Sequence, residues 1–189
     1  MWLVVKGAIM LKIIQRFDWS VMRWIQKTLK CDVLDFIMPK VTQLGTGGAV
    51  WLFAAVLMLM STRYQEYGVA MLAALASGVL VGNIFLKNMV GRHRPCWLDE
   101  AIALLVKNPK DYSFPSCHTL ASVIAAVVLT SANPRFGLIA IPLAAIIAFS
   151  RLYLYVHFPS DVLASIALGL FLGFFMMSMV LTLYSVSAQ

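Results

Sequence analysis

The sequence predicts an all-α protein, a polytopic membrane helix bundle with about five or six transmembrane helices and an amphipathic N-terminal segment. Composition is the first reason: of 189 residues 61% are hydrophobic and 12% charged, with mean hydropathy +0.86. That balance is foreign to a soluble globular domain. Spacing is the second, because beyond Val41 the charges gather in clusters and leave uncharged runs near the ~20 residues that a helix needs to cross hydrocarbon. Length is the third, since it holds such runs and short loops without a separate soluble domain. The expected organisation is an interfacial segment over residues 1–40 and a membrane-embedded domain over 41–189.

Residues 1–40 interleave Trp2, Phe17, Trp19, Trp24 and Phe36 with Lys6, Lys12, Arg16, Arg23, Lys27, Lys30 and Lys40, which suits helices lying in the interface. The tryptophans read as interface anchors. Pro39 is expected to end the segment. The apolar start is broken by Lys6 and lacks a small-residue cleavage site, so no cleaved signal peptide is expected. Residues 41–62 open on Leu-Gly-Thr-Gly-Gly at 44–48 and give the first span; residues 67–86, rich in Ala and Gly, give the second. Residues 87–118 form the main polar loop, broken by Pro95, Pro109 and Pro115, with a short amphipathic helix expected over 98–106. Residues 119–134 and 136–150 make two further spans around a tight turn at Asn133-Pro134-Arg135. The fifth, 162–189, carries no charge and presents Gly169 and Gly173 as a packing face. Five crossings would put the 87–118 loop and the 151–161 turn on one side of the bilayer.

The formal charge is +7, but seven of the fifteen Lys and Arg precede Val41 among apolar residues. Lipid headgroups explain them better than nucleic acid does. Cys31, Cys96 and Cys117 form neither a CxxC pair nor a zinc-like cluster, so no disulfide, metal or cofactor is expected.

Ser150, Arg151, His157 and Asp161 stand between two apolar runs, where a charge is costly unless it meets a partner, a ligand or water. A helix beginning near His157 would put Asp161, four residues on, along the same face. A carboxylate there holds one imidazole nitrogen and leaves the other as a nucleophile or base. Arg151 adds a planar donor fork that fits a phosphate. A snorkelling arginine, an interfacial histidine and a helix-capping aspartate would account for the same residues one at a time.

Two further clusters join this one: Lys87-Asn-Met-Val-Gly-Arg-His-Arg94-Pro95 and Ser113-Phe-Pro-Ser116-Cys-His118. In order and spacing the three resemble the signatures of the type 2 phosphatidic acid phosphatase superfamily, Lys-x6-Arg-Pro, Pro-Ser-Gly-His and Ser-Arg-x5-His-x3-Asp. Cys117, in place of the glycine, is the one departing letter. The residue types suit phosphoryl transfer, in which fixed cations and donors stabilise spreading negative charge. Lys87, Arg94 and Arg151 supply cations, and Ser116 a hydroxyl at the start of a helix.

The resemblance implies that His157, oriented by Asp161, attacks phosphorus and becomes a phosphohistidine. It implies that His118 protonates the leaving oxygen and then activates water. It further implies a lipid phosphate as substrate, undecaprenyl pyrophosphate first, with phosphatidylglycerophosphate or phosphatidic acid as alternatives. It places the site outside the cytoplasm, whereas the basic N-terminal segment argues for the cytoplasmic side. Arg92, His93, Lys107 and Lys110 read as loop residues near headgroups. Readings from other classes are an anion transporter and a lipid-phosphate-binding protein inactivated at Cys117. Membrane lipids are the expected surroundings, and the sequence sets no oligomeric state.

Overall fold

The computed structural model describes residues 2–187, of which 2–10 as backbone; Met1, Ala188, Gln189 and the side chains of Trp2 and Lys6 lie outside the described part. Among the described residues every regular element is helical. Helix α1, Trp2–Thr28, is 27 residues or about 40 Å long. It exposes Leu11, Ile13, Phe17 and Trp24 and buries Asp18, Met22 and Ile25. Met22 and Ile25 pack in one cluster with Met38, Tyr153, Tyr155 and Phe158, so the N-terminal segment is joined to the bundle near the 151–161 turn.

Helix α2, Asp32–Leu44, contains Pro39 and continues past it. A proline inside a helix removes one hydrogen bond, and burial of the flanking Met38 and Thr42 holds the segment helical. The break expected at Pro39 falls instead at Gly45–Gly48, where Gly47 and Gly48 take φ of 61° and 71°. Glycine enters that left-handed region without a Cβ clash. A 3₁₀ turn, Thr46–Gly48, leads into α3, Ala49–Leu59, and the chain bends by 45° between the two helical pieces.

Helix α4, Gln65–Gly78, runs through a π-helical stretch, Val79–Leu86, into α5, Lys87–Val90. A Cβ on Gly82 would lie 2.6 Å from Leu120 Cδ2, so glycine lets this helix lie directly against α7, Cys117–Ala132. The π-helical stretch leads directly into α5, whose first residue is Lys87. Gly91, at φ 58°, ends α5. Helix α8, Pro134–Tyr153, follows a turn in which Asn133 Oδ1 accepts from Arg135 N at 3.0 Å. Helix α9, Pro159–Ser187, sets Gly169 and Gly173 against Val123 and Val127 of α7, the packing face its sequence predicts. Trp51, Met71, Leu120, Ile124, Val128 and Ile147 fill the core between these helices.

By length and composition residues 65–98, α8 and α9 suffice to cross a membrane. The bent pair α2–α3 makes a fourth span if taken as one, and α7 is apolar but only 16 residues long.

The 87–118 loop differs from expectation. Its short helices are α5 and α6, Pro95–Leu98, and no helix spans 99–106. Ile102, Leu104 and Val106 are half-buried while Ala101, Ala103, Leu105 and Lys107 are exposed, a two-residue alternation that belongs to extended chain. The three inward residues pack beside Cys96 and Tyr155. Trp97 Nε1 ties the segment down by donating to Asn108 Oδ1 at 3.0 Å and Pro109 O at 3.1 Å.

Candidate active site

His157 owes its position to the way α8 ends. Tyr155 N donates to Leu152 O at 3.0 Å and Val156 N to Arg151 O at 3.2 Å, with Tyr155 in the left-handed region at φ 61°. This is the Schellman pattern, whose left-handed residue is usually glycine. The tyrosine is held there by burial of its ring and by its hydroxyl, which donates to Asp99 Oδ2 at 3.0 Å. His157 N also donates to Arg151 O, at 3.3 Å, so the same turn fixes the arginine and the histidine.

Helix α9 begins two residues after His157, so the pair with Asp161 is not made on one helical face. Asp161 instead reaches back over the first turn. Its Oδ2 accepts from Phe158 N at 2.9 Å, the reciprocal half of a capping box, and from Ser113 Oγ. The same oxygen lies 3.8 Å from His157 Nδ1, an ion-pair distance longer than a hydrogen bond. Nδ1 is buried and has no hydrogen-bond partner among the described residues. On the other side of the ring, Nε2 is 3.0 Å from Arg94 Nη1. An arginine can only donate, so Nε2 accepts and the neutral ring carries its proton on Nδ1, toward Asp161.

Pro95 opens α6 and biases Arg94 to extended backbone. The buried guanidinium donates through Nη1 to Val156 O at 2.7 Å, through Nε to Asp111 O at 2.7 Å and through Nη2 to Asp111 Oδ1 at 2.8 Å. Lys87 Nζ meets the other oxygen of Asp111 at 2.5 Å. Asp111, which sequence reasoning missed, thus bridges two cations from one loop. Arg151 Nη1 donates to Thr42 Oγ1, and its buried Nε has no partner among the described residues.

His118 sits in the first turn of α7 against Gly45, where a Cβ would come within 2.9 Å of the imidazole. Its Nε2 is buried without a partner among the described residues. Lys87, Arg94, His118, Arg151 and His157 all line one cavity of about 1260 Å³. Ser116 does not line it: its buried hydroxyl pairs with Thr119 Oγ1 at 3.0 Å, and its N–H donates to Ser165 Oγ at 2.8 Å. Cys117 does line it, its Sγ donating to Asn83 Oδ1, and its helical backbone needs no positive φ. Arg92, read from sequence as a loop residue, is joined to Asp161 and to Asp18 of α1, each at 2.6 Å. No local signal marks that pairing, because Asp18 is a lone carboxylate in a helix otherwise read as interfacial. Among the described residues, no group of three or more His, Cys, Asp or Glu gathers as metal ligands.

Two charge states follow from this geometry. Burial holds His157 down to about 3 from 6.5, against the pull of Asp161 and with help from Arg94 and Arg151. Asp111 is lowered to about 2: burial opposes the charged carboxylate, and the Lys87 and Arg94 contacts outweigh it. Below pH 6.5 the unfolded chain therefore takes up a proton that the folded His157 refuses, so stability falls as pH drops from 6.5 toward 3. The Asp111 contribution is lost at lower pH, between 3.8 and about 2. Unfolding midpoints in detergent across this range should show that loss, and His157→Gln should reduce its upper part. A midpoint constant from pH 7 to 4 would refute the assignment.

The fold and site define a membrane-embedded helix bundle with a cation-lined, two-histidine cavity at one end. The chain belongs to the PAP2 superfamily, whose family model matches residues 66–185. It is 30% identical over 126 residues to an undecaprenyl-diphosphatase of Sulfolobus acidocaldarius, a match covering 66% of this chain and 61% of that protein. It is 35% identical over 126 residues to a decaprenylphosphoryl-5-phosphoribose phosphatase of Mycobacterium tuberculosis, covering 65% and 67%. The crystal structure of a transmembrane PAP2-type phosphatidylglycerolphosphate phosphatase from Bacillus subtilis superposes with a TM-score of 0.74 at 26% identity, covering 94% of this chain and 90% of that one.

Proposed function

We propose that the protein is an integral membrane phosphatase that hydrolyses a lipid phosphate or pyrophosphate through a phosphohistidine. The carrying observation is the cavity itself. Lys87, Arg94, Arg151, His118 and His157 line it together with Leu52, Leu72, Leu75, Val79, Leu120 and Ile124 of the helices. Cations beside an apolar wall suit an amphiphile with a phosphate head and a hydrocarbon tail. Undecaprenyl pyrophosphate is the first candidate, in keeping with the similarity to the Sulfolobus diphosphatase. Phosphatidylglycerophosphate is the alternative, in keeping with the Bacillus structure; phosphatidic acid is a further one.

In the proposed reaction the lone pair of His157 Nε2 attacks phosphorus while the bond to the leaving oxygen breaks. Arg94 Nη1 turns from Nε2 to a phosphoryl oxygen, with Lys87 and Arg151 on the others. His118, made an imidazolium by the proton it takes up when the anionic phosphate binds beside it, gives that proton to the leaving oxygen, then takes one from the water that cleaves the P–N bond and restores His157. The positive charge on the modified imidazole faces Asp161, 3.8 Å away.

The test is phosphate release from a panel of lipid phosphates in detergent. Hydrolysis is expected to persist in chelator and to be blocked by vanadate, which adopts the five-coordinate geometry of phosphorus in transfer. Loss of activity in chelator would overturn the metal-independent route. Tight lipid-phosphate binding without release would favour an inactive binder, and anion flux in liposomes surviving His157→Ala would favour a transporter. We place the catalytic end outside the cytoplasm. Cys31 is exposed and lies beside Tyr153 at that end of the bundle. A membrane-impermeant maleimide should label it in intact cells; labelling only after lysis would reverse the orientation.

A further inference from the structure

We infer that Asp18 and Arg92 are positioning residues for His157, acting through Asp161, so that the N-terminal helix takes part in the chemistry. This rests on the phosphatase reading above. Asp161 is fully buried, and its two oxygens are divided between tasks. Arg92 Nη1 donates to Oδ1 at 2.6 Å, which leaves Oδ2 turned toward Phe158 N, Ser113 Oγ and the His157 ring. The same Nη1 donates to Ser160 Oγ at 2.7 Å, and the guanidinium lies 4.3 Å from the centre of the Phe158 ring. Arg92 is thereby locked to the first turn of α9.

Arg92 is locked from behind as well. Its Nη2 donates to Asp18 Oδ2 at 2.6 Å, and Asp18 also accepts from Ser160 N at 2.9 Å and Ser160 Oγ at 2.6 Å. Asp18 is fully buried on the face of α1 that also buries Met22 and Ile25. A buried carboxylate needs such partners to remain ionised. One guanidinium shared between two carboxylates neutralises neither completely, so Asp161 keeps anionic character for the imidazole. A planar fork can serve two carboxylates in this way, and a lysine ammonium cannot hold the same geometry. Neither Asp18 nor Arg92 lines the cavity that holds Lys87, Arg94 and Arg151, so their influence on a substrate passes through Asp161 and His157. Residue 18 also lies outside the part of the chain that the family model matches.

The experiment measures kcat and KM on a lipid phosphate for the full-length protein, Asp18→Asn, Arg92→Lys and the double variant. Monodispersity and melting temperature are recorded for each. Asp18→Asn should lower kcat about tenfold and Arg92→Lys by more, each with KM within about twofold of wild type, as expected for groups that orient the nucleophile without touching substrate. Because the two act in series, the double variant should be no slower than Arg92→Lys alone. If Asp18→Asn does not fold, the Arg92→Lys pair of constants decides: a raised KM with intact kcat would make Arg92 a substrate ligand and overturn the inference. So would a melting-temperature loss in Asp18→Asn with kcat unchanged, or fully multiplicative losses in the double variant. An active wild type with such results refutes the inference alone, whereas a wild type releasing phosphate from no lipid phosphate refutes the phosphatase reading and the inference with it.

Discussion

His157→Ala is expected to abolish phosphate release, lowering kcat by at least about 10⁴-fold, because without the imidazole no covalent path remains. The three cations stay in place: Arg94 keeps Val156 O and Asp111, Lys87 keeps Asp111, and Arg151 keeps Thr42. Binding of a lipid phosphate should accordingly survive in the variant, and no acid-labile phosphoenzyme should form with labelled substrate. Equilibrium binding and rapid-quench labelling on the same preparation separate the two effects. Residual turnover within about tenfold of wild type would leave His157 without the role of nucleophile.

His118→Ala should have the second largest effect, a loss of about 10²–10⁴-fold on a lipid phosphate. The loss should depend on the leaving group. An alkoxide leaving group needs a proton as the P–O bond breaks, whereas a nitrophenolate does not. On an aryl phosphate the variant should transfer the phosphoryl group to His157 and then stall, since the base for water is also missing. The expected record is a burst of nitrophenolate near one equivalent, followed by slow turnover and accumulated phosphohistidine. A loss equal for both substrates, with no burst, would place the acid elsewhere.

Much of the site was legible because charge inside an apolar sequence is costly and so stands out. Arg151 and His157 were marked by that contrast, Lys87, Arg94 and His118 by the resemblance of their clusters to the superfamily signatures, and all five line one cavity. Ser116 was marked equally well, yet its hydroxyl turns to Thr119 in the packing between α7 and α9. Asp111 and Arg92 carried no distinguishing pattern in a loop already full of charges. The loop's own conformation was misread for a related reason. A run such as Ile102 to Val106 fits a helix or an extended chain until its neighbours decide, and Trp97 with Asn108 holds it extended.

By itself the sequence determined that the chain is a helical membrane protein and picked out side chains whose chemistry suits a phosphate. Both follow from local properties, the hydropathy of a twenty-residue window and the chemistry of individual residues. The tertiary structure alone decided where the helices break and which charges are paired. It also joined α1 to Asp161 through Arg92, by an Arg92–Asp18 contact between residues 74 positions apart. Such a pair depends on how one helix docks against another, and no window along the chain contains both partners.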